Sequence, residues 1–132
     1  MSITKYHDEM FELEDVRTGL TGEAIAFARA CVYETGGELK KTTADTDLAL
    51  GLAYDEYADA TRDAQYITRG HLRFVATGDI AISDPLCPDD GTAGNIRTAV
   101  SGDRVIGYAT TTAATTEYCY GNFDFISSHL LA

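Results

Sequence analysis

Tryptophan is absent, proline occurs only at Pro85 and Pro88, and lysine only at Lys5, Lys40 and Lys41. The 10 basic residues face 21 acidic ones, for a net charge of −11. A surface that acidic repels phosphate, which excludes nucleic acid as a direct partner and disfavours an anionic membrane. No apolar run approaches the ~18 residues of a membrane span. The opening stretch, Met1 to Glu9, lacks the apolar core of a secretory leader. Three cysteines, Cys31, Cys87 and Cys119, are odd in number and far apart. They read as buried, reduced thiols of a protein made in a cytoplasm, not as disulfides or a zinc site. Nucleophile-elbow, Walker, dinucleotide-binding, C-x-x-C and H-E-x-x-H motifs are all missing. No catalytic residue, cofactor or metal is therefore predicted.

What is present is a chain of 132 residues, 45% apolar, long enough for one domain with a core. About two-thirds of the unfolded surface is expected to be buried at this size. Aspartate outnumbers glutamate 13 to 8, beside 17 threonines and 18 alanines. This Asp-rich, Lys-poor habit suits a protein kept soluble by charge in high salt. An ordinary acidic protein is the alternative.

Residues 1–22 alternate acid with apolar side chains, as in Glu9-Met10-Phe11-Glu12-Leu13-Glu14-Asp15-Val16. They read as an extended N-terminal arm that orders on a partner, or as a plain edge strand. Residues 23–132 read as strand, turn, strand. Ala24–Tyr33, Glu38–Thr42, Leu48–Tyr54, Gln65–Val75 (bent at Gly70), Arg104–Ala109 and Glu117–Ile126 are the predicted strands. Asp84 to Gly94 holds both prolines and reads as a loop, and Asp55 to Ala64 as a loop or one helical turn. The expected fold is all-β, a small β-barrel or sandwich.

The chain repeats itself. Cys31 and Cys87, Asp47 and Asp103, and Gly51 and Gly107 are each 56 residues apart. After a deletion of about five residues, Tyr66 to Phe74 faces Tyr118 to Phe125. Two similar halves closing one barrel would remove exposed sheet edges.

Several residues invite a chemical reading. His7, His71 and His129 are scattered, and His71 after Gly70 suits a surface or interface better than a general base. Asp84, Asp89 and Asp90 with Gly91 hold enough carboxylates for a hard cation, but the spacing is not that of an EF-hand and a solvated loop explains it. Eight tyrosines include Tyr54, Tyr57 and Tyr66 in one half and Tyr108, Tyr118 and Tyr120 in the other. They suit either a protein interface or the rim of the core. Tyr6, Phe11, Leu13, Tyr54, Tyr57 and His71 are the candidate interface residues.

The strings Cys31-Val32-Tyr33-Glu34-Thr35-Gly36-Gly37-Glu38-Leu39-Lys40-Lys41-Thr42 and Leu50-Gly51-Leu52-Ala53 resemble the capsid cement, or head decoration, proteins of tailed viruses. So do Gly78 to Leu86 and Val105-Ile106-Gly107-Tyr108-Ala109. The resemblance covers about residues 24–125. Where that family carries Gly-Asp-Pro, this chain has Ser83-Asp84-Pro85. The resemblance implies a virion protein, made in the host cytoplasm, that binds the outer surface of the mature capsid. Its implied partners are the major capsid protein and itself, as a homotrimer. Another virion β-barrel, such as a turret base, spike base or tail-associated part, is the alternative. A small β-barrel enzyme, with His71 and Asp84 as the residues to test, is a remote one.

Overall fold

The computed structural model describes residues 12–45 and 47–132, and contains no helix among them. Eleven strands form it. They are β1 (Glu12–Leu20), β2 (Ala30–Tyr33), β3 (Leu39–Lys41), β4 (Gly51–Ala53), β5 (Asp63–Val75) and β6 (Pro85–Pro88), then β7 (Ile96–Thr98), β8 (Arg104–Val105), β9 (Gly107–Ala109), β10 (Tyr118–Asp124) and β11 (His129–Leu130). Nine belong to one curled antiparallel sheet with the order β3-β2-β4-β5-β10-β9-β6-β7, while β1 pairs with β5. β8 and β11 form a small second sheet. The all-β expectation therefore stands.

Long β5 is the spine. Its N-terminal part pairs with β1 and β4, and its C-terminal part with β10. β5 runs unbroken through Gly70, whose φ of 140° lies where a side chain is disfavoured. Arg69 to His71 carry β1 on one edge and β10 on the other.

The internal repeat is real, and longer than the sequence pattern shows. The β2–β3 hairpin pairs Cys31 with Lys41, and the β6–β7 hairpin pairs Cys87 with Arg97. β4 pairs Leu52 with Ile67, and β9 pairs Tyr108 with Asn122. The four non-glycine residues at positive φ also recur 55 apart, Ala28 with Ser83 and Thr61 with Thr116. Ser83 at φ 74° adopts a backbone that favours glycine, a strained choice costing on the order of 1 kcal/mol.

Two expectations need correction. No five-residue deletion separates the halves: Tyr66 of β5 corresponds to Gly121 of β10, because each pairs with the alanine after the repeat glycine, Ala53 or Ala109. The repeat also begins before residue 24. Thr18 pairs with Gln65 as Arg73 pairs with Tyr120, and Leu20 with Asp63 as Val75 with Tyr118. Residues 12–20 are thus the opening strand of the first repeat, and the second half of β5 is the opening strand of the second. Residues 12–20 are a strand paired with β5, and residue 22 falls within the first repeat. Residues 1–11 lie outside the described residues.

The Asp84–Gly94 segment also differs from expectation, since β6 runs through both prolines. Proline lacks a donor and is tolerated at strand ends, which is where Pro85 and Pro88 sit.

Apolar residues explain the curl of the sheet. One cluster spans both repeats: Phe27, Leu52 and Ile67 from the first meet Leu72, Phe74, Leu86, Ile106 and Phe123 around the spine. Phe74 meets Phe123 edge-on at 5.5 Å, and Phe123 stacks on Phe125 at 5.4 Å. Each repeat adds a satellite cluster around its own cysteine, Cys31 or Cys87. The repeat glycines fit here for one reason. A Cβ on Gly51 would lie 2.3 Å from the Ile67 carbonyl oxygen, and one on Gly107 2.5 Å from that of Asn122.

Candidate interaction surfaces and the buried ion-pair cluster

Charge first gathers at Arg97. Its guanidinium donates to Asp103 (Nη1 to Oδ2, 2.9 Å) and to Asp45 (Nη2 to Oδ2, 3.0 Å), and its Nε lies 3.6 Å from Asp89 and 3.5 Å from Asp90. Asp89 and Asp103 are buried. Asp45 comes from the first repeat and the others from the second, so one cation ties the halves together. Asp103 is held further by the Val100 amide at 2.9 Å, in the turn that Asp47 makes with Ala44 in the first repeat. Asp84 is likewise spent on structure, accepting from the Ala81 amide (2.9 Å) and the Thr98 hydroxyl (3.0 Å). Asp84, Asp89 and Asp90, in which the sequence left room for a hard cation, are engaged by Arg97 or by backbone and hydroxyl donors.

Burial pushes the Asp103 carboxyl up, but the Val100 amide and the Arg97 guanidinium outweigh it and hold it below the ordinary value. A carboxyl depressed by folding stabilises fully above its unfolded pKa, and the contribution disappears as pH falls through the folded value. The urea midpoint is therefore expected to fall on acidification below about pH 4. Asp103→Asn is expected to flatten that fall, and identical pH profiles for the two proteins would refute this role.

Cys31, Cys87 and Cys119 are all buried and free, and burial pushes Cys31 and Cys87 up to about 12.

Two exposed surfaces remain. The first is β1. Val16, Thr18 and Leu20 point to one side and Arg17 to the other, all exposed. Among the described residues β1 pairs with β5 alone, which leaves its outer edge without a described partner strand. Beside it a hollow of about 150 Å³ is lined by Arg17, Leu48, Tyr66, Phe125 and Ile126. Leu48 and Ile126 are 60% and 58% exposed, far more than a core residue would be. An edge strand flanked by apolar side chains is a surface that natural proteins cover.

The second surface is the outer face of β5, β10 and β9. Strand alternation places Arg69, His71 and Arg73 beside Asp124, Asn122 and Tyr120. Arg69 Nε lies 3.7 Å from Asp124, His71 Nε2 2.7 Å from the Thr110 hydroxyl, and the Arg73 guanidinium 3.9 Å over the Tyr118 ring. Tyr108 stands next in the row, opposite Asn122.

The structure separates the candidate interface residues. His71 lies half-buried in the second surface. Tyr54 packs against the main core. The Tyr57 hydroxyl accepts from the Gln65 amide at 2.7 Å, which fixes the loop onto β5. Leu13 is in β1 opposite Gly70. Tyr6 and Phe11 lie outside the described residues. Sequence reasoning missed Leu48, Ile82 and Ile126 as exposed residues: Leu48 and Ile126 lie at the ends of apolar runs that read as strand, and Ile82 follows Ile80-Ala81, so nothing local separates them from core positions.

This architecture has a solved counterpart. Over 84% of this chain and 94% of the other, it superimposes on the crystal structure of the head fiber gp8.5 N base of bacteriophage phi29, with a TM-score of 0.67. The sequences are 16% identical, so the likeness is one of fold. No protein-family model and no curated protein sequence matches the chain.

Proposed function

We propose that this chain is a non-enzymatic structural protein of a virus particle. It binds the outer surface of the mature capsid and stabilises contacts between major capsid protein subunits, as a homotrimer. The observation that carries the reading is the shared fold with a head-fibre base across nearly the whole of that base. The β1 edge and the neighbouring Leu48–Ile126 hollow supply contact surface for capsid or for a second copy. Interfaces of this kind are individually modest, but repetition over a shell multiplies them. An acidic exterior suits the outside of the shell, away from packaged phosphate. The finer assignment to the cement family rests on the resemblance of the Gly51 and Gly107 strands and their hairpins.

A second reading follows from the same likeness, in which the domain is a pedestal for a projecting spike or fibre. A particle reconstruction separates the two. The proposal expects density for the chain at local three-fold sites of the expanded head, and expects heads lacking it to lose genome at lower temperature. Absence of the chain from purified particles would overturn both readings.

A further inference from the structure

The repeat shows where this chain departs from its own pattern. Leu52 and Ile67 face each other on β4 and β5, both wholly buried. Tyr108 and Asn122 hold the same two ladder positions in the second repeat, and both are exposed. An uncovered face requires polar side chains, which Asn122 supplies. It does not require a large aromatic ring standing 47% exposed, as Tyr108 does.

That ring separates two shallow hollows of about 190 and 430 Å³, with Tyr108 and Asn122 lining both. Ser127 and His129 lie in the smaller, Ser83 and Thr110 in the larger. Neither the Tyr108 hydroxyl nor the Asn122 amide makes a hydrogen bond among the described residues. Thr110 is held by His71, and Asp124, at the wall of the smaller hollow, lies beside Arg69. The groove thus offers a flat apolar ring flanked by neutral donors and acceptors, with its one carboxylate balanced.

We propose that this groove binds a neutral saccharide. A pyranose has apolar C–H faces that stack on an aromatic ring and a rim of hydroxyls that an amide can pair. Tyrosine gives such contact at small entropic cost because its ring is rigid. Neither hollow is lined by a lysine or arginine that would pair an anion, and Asp124, the one carboxylate in their walls, lies beside Arg69. A protein partner is the less suited occupant, because the polar groups are grouped in two hollows around one ring. The inference does not depend on where the chain sits in a particle.

The test is a titration of the isotope-labelled full chain with mannotriose, cellotriose and chitotriose, each to about 20 mM, which covers millimolar dissociation constants. The expected result is saturable amide shifts on β9 and β10 with at least one of them. Tyr108→Ala and Asn122→Leu, both at exposed positions, are expected to weaken that binding at least about tenfold with unchanged melting. No saturable shift with any of the three would overturn the proposal, as would shifts remote from the groove or equal binding by Tyr108→Ala. A Tyr108→Ala chain that loses capsid binding while the parent ignores all three sugars would assign the face to protein instead.

Discussion

Arg97→Met is expected to lower the stability of the fold by about 3–5 kcal/mol, because it leaves buried carboxylates without their cation. For a domain of this size that is a melting temperature lower by roughly 10–20 °C. The side chains of Asp89 and Asp103 are only 4% and 8% exposed, so water cannot replace the guanidinium. Arg97→Lys is expected to recover part of the loss at most, since three donors on a single nitrogen do not reproduce the spread of the planar fork whose Nη1 reaches Asp103 and Nη2 reaches Asp45. Combining Arg97→Met with Asp103→Asn should restore some stability by removing the stranded charge. Calorimetry of the three variants measures this. Melting of Arg97→Met within a few degrees of the parent would show that the cluster does not hold the repeats together.

The second large effect compares equivalent positions. Leu52→Ala is expected to cost about 2–5 kcal/mol, since its side chain lies wholly inside the cluster that joins the repeats. Tyr108→Ala, at the same place in the second repeat, is expected to fall within about 0.5 kcal/mol of the parent. Chemical denaturation of the two variants gives the comparison directly. Equal losses would mean that the Tyr108 face is covered in solution, and the assignment of inside and outside would need revision. The contrast arises because a face of the first repeat packs against the second, while the corresponding face of the second meets no further repeat within the chain.

Much of this was legible beforehand. Alternating apolar residues and frequent turn signals specify short strands, and 3 of the repeat's markers, at Cys31, Asp47 and Gly51, recur 56 positions on. Each has a local physical cause. The cysteines fill the satellite clusters, the aspartates close the same turn, and the glycines admit a neighbouring carbonyl. The opening strand was harder to place. Val16 and Leu20 stay exposed, and little in β1 beyond Leu20, the counterpart of Val75, resembles the second half of β5. That equivalence lives in the hydrogen-bond ladder. β6 was hidden by its prolines, which propensity assigns to loops although strand ends accept them.

The surfaces followed the same division. Tyr54, Tyr57 and His71 are similar polar-aromatic candidates in sequence, yet one packs on the core, one pins a loop, and one sits on an outer face. Local composition cannot distinguish these outcomes, because each depends on which strand lies opposite.

By itself, the sequence determined an acidic, all-β chain with a doubled motif, since charge, strand period and turn chemistry are properties of neighbouring residues. Only the tertiary structure decided that residues 12–20 complete the first repeat, that Arg97 joins the two, and that Leu52 is buried where Tyr108 is exposed. Those outcomes depend on contacts between residues some 50 positions apart, and strand pairing fixes such contacts only when the whole sheet forms.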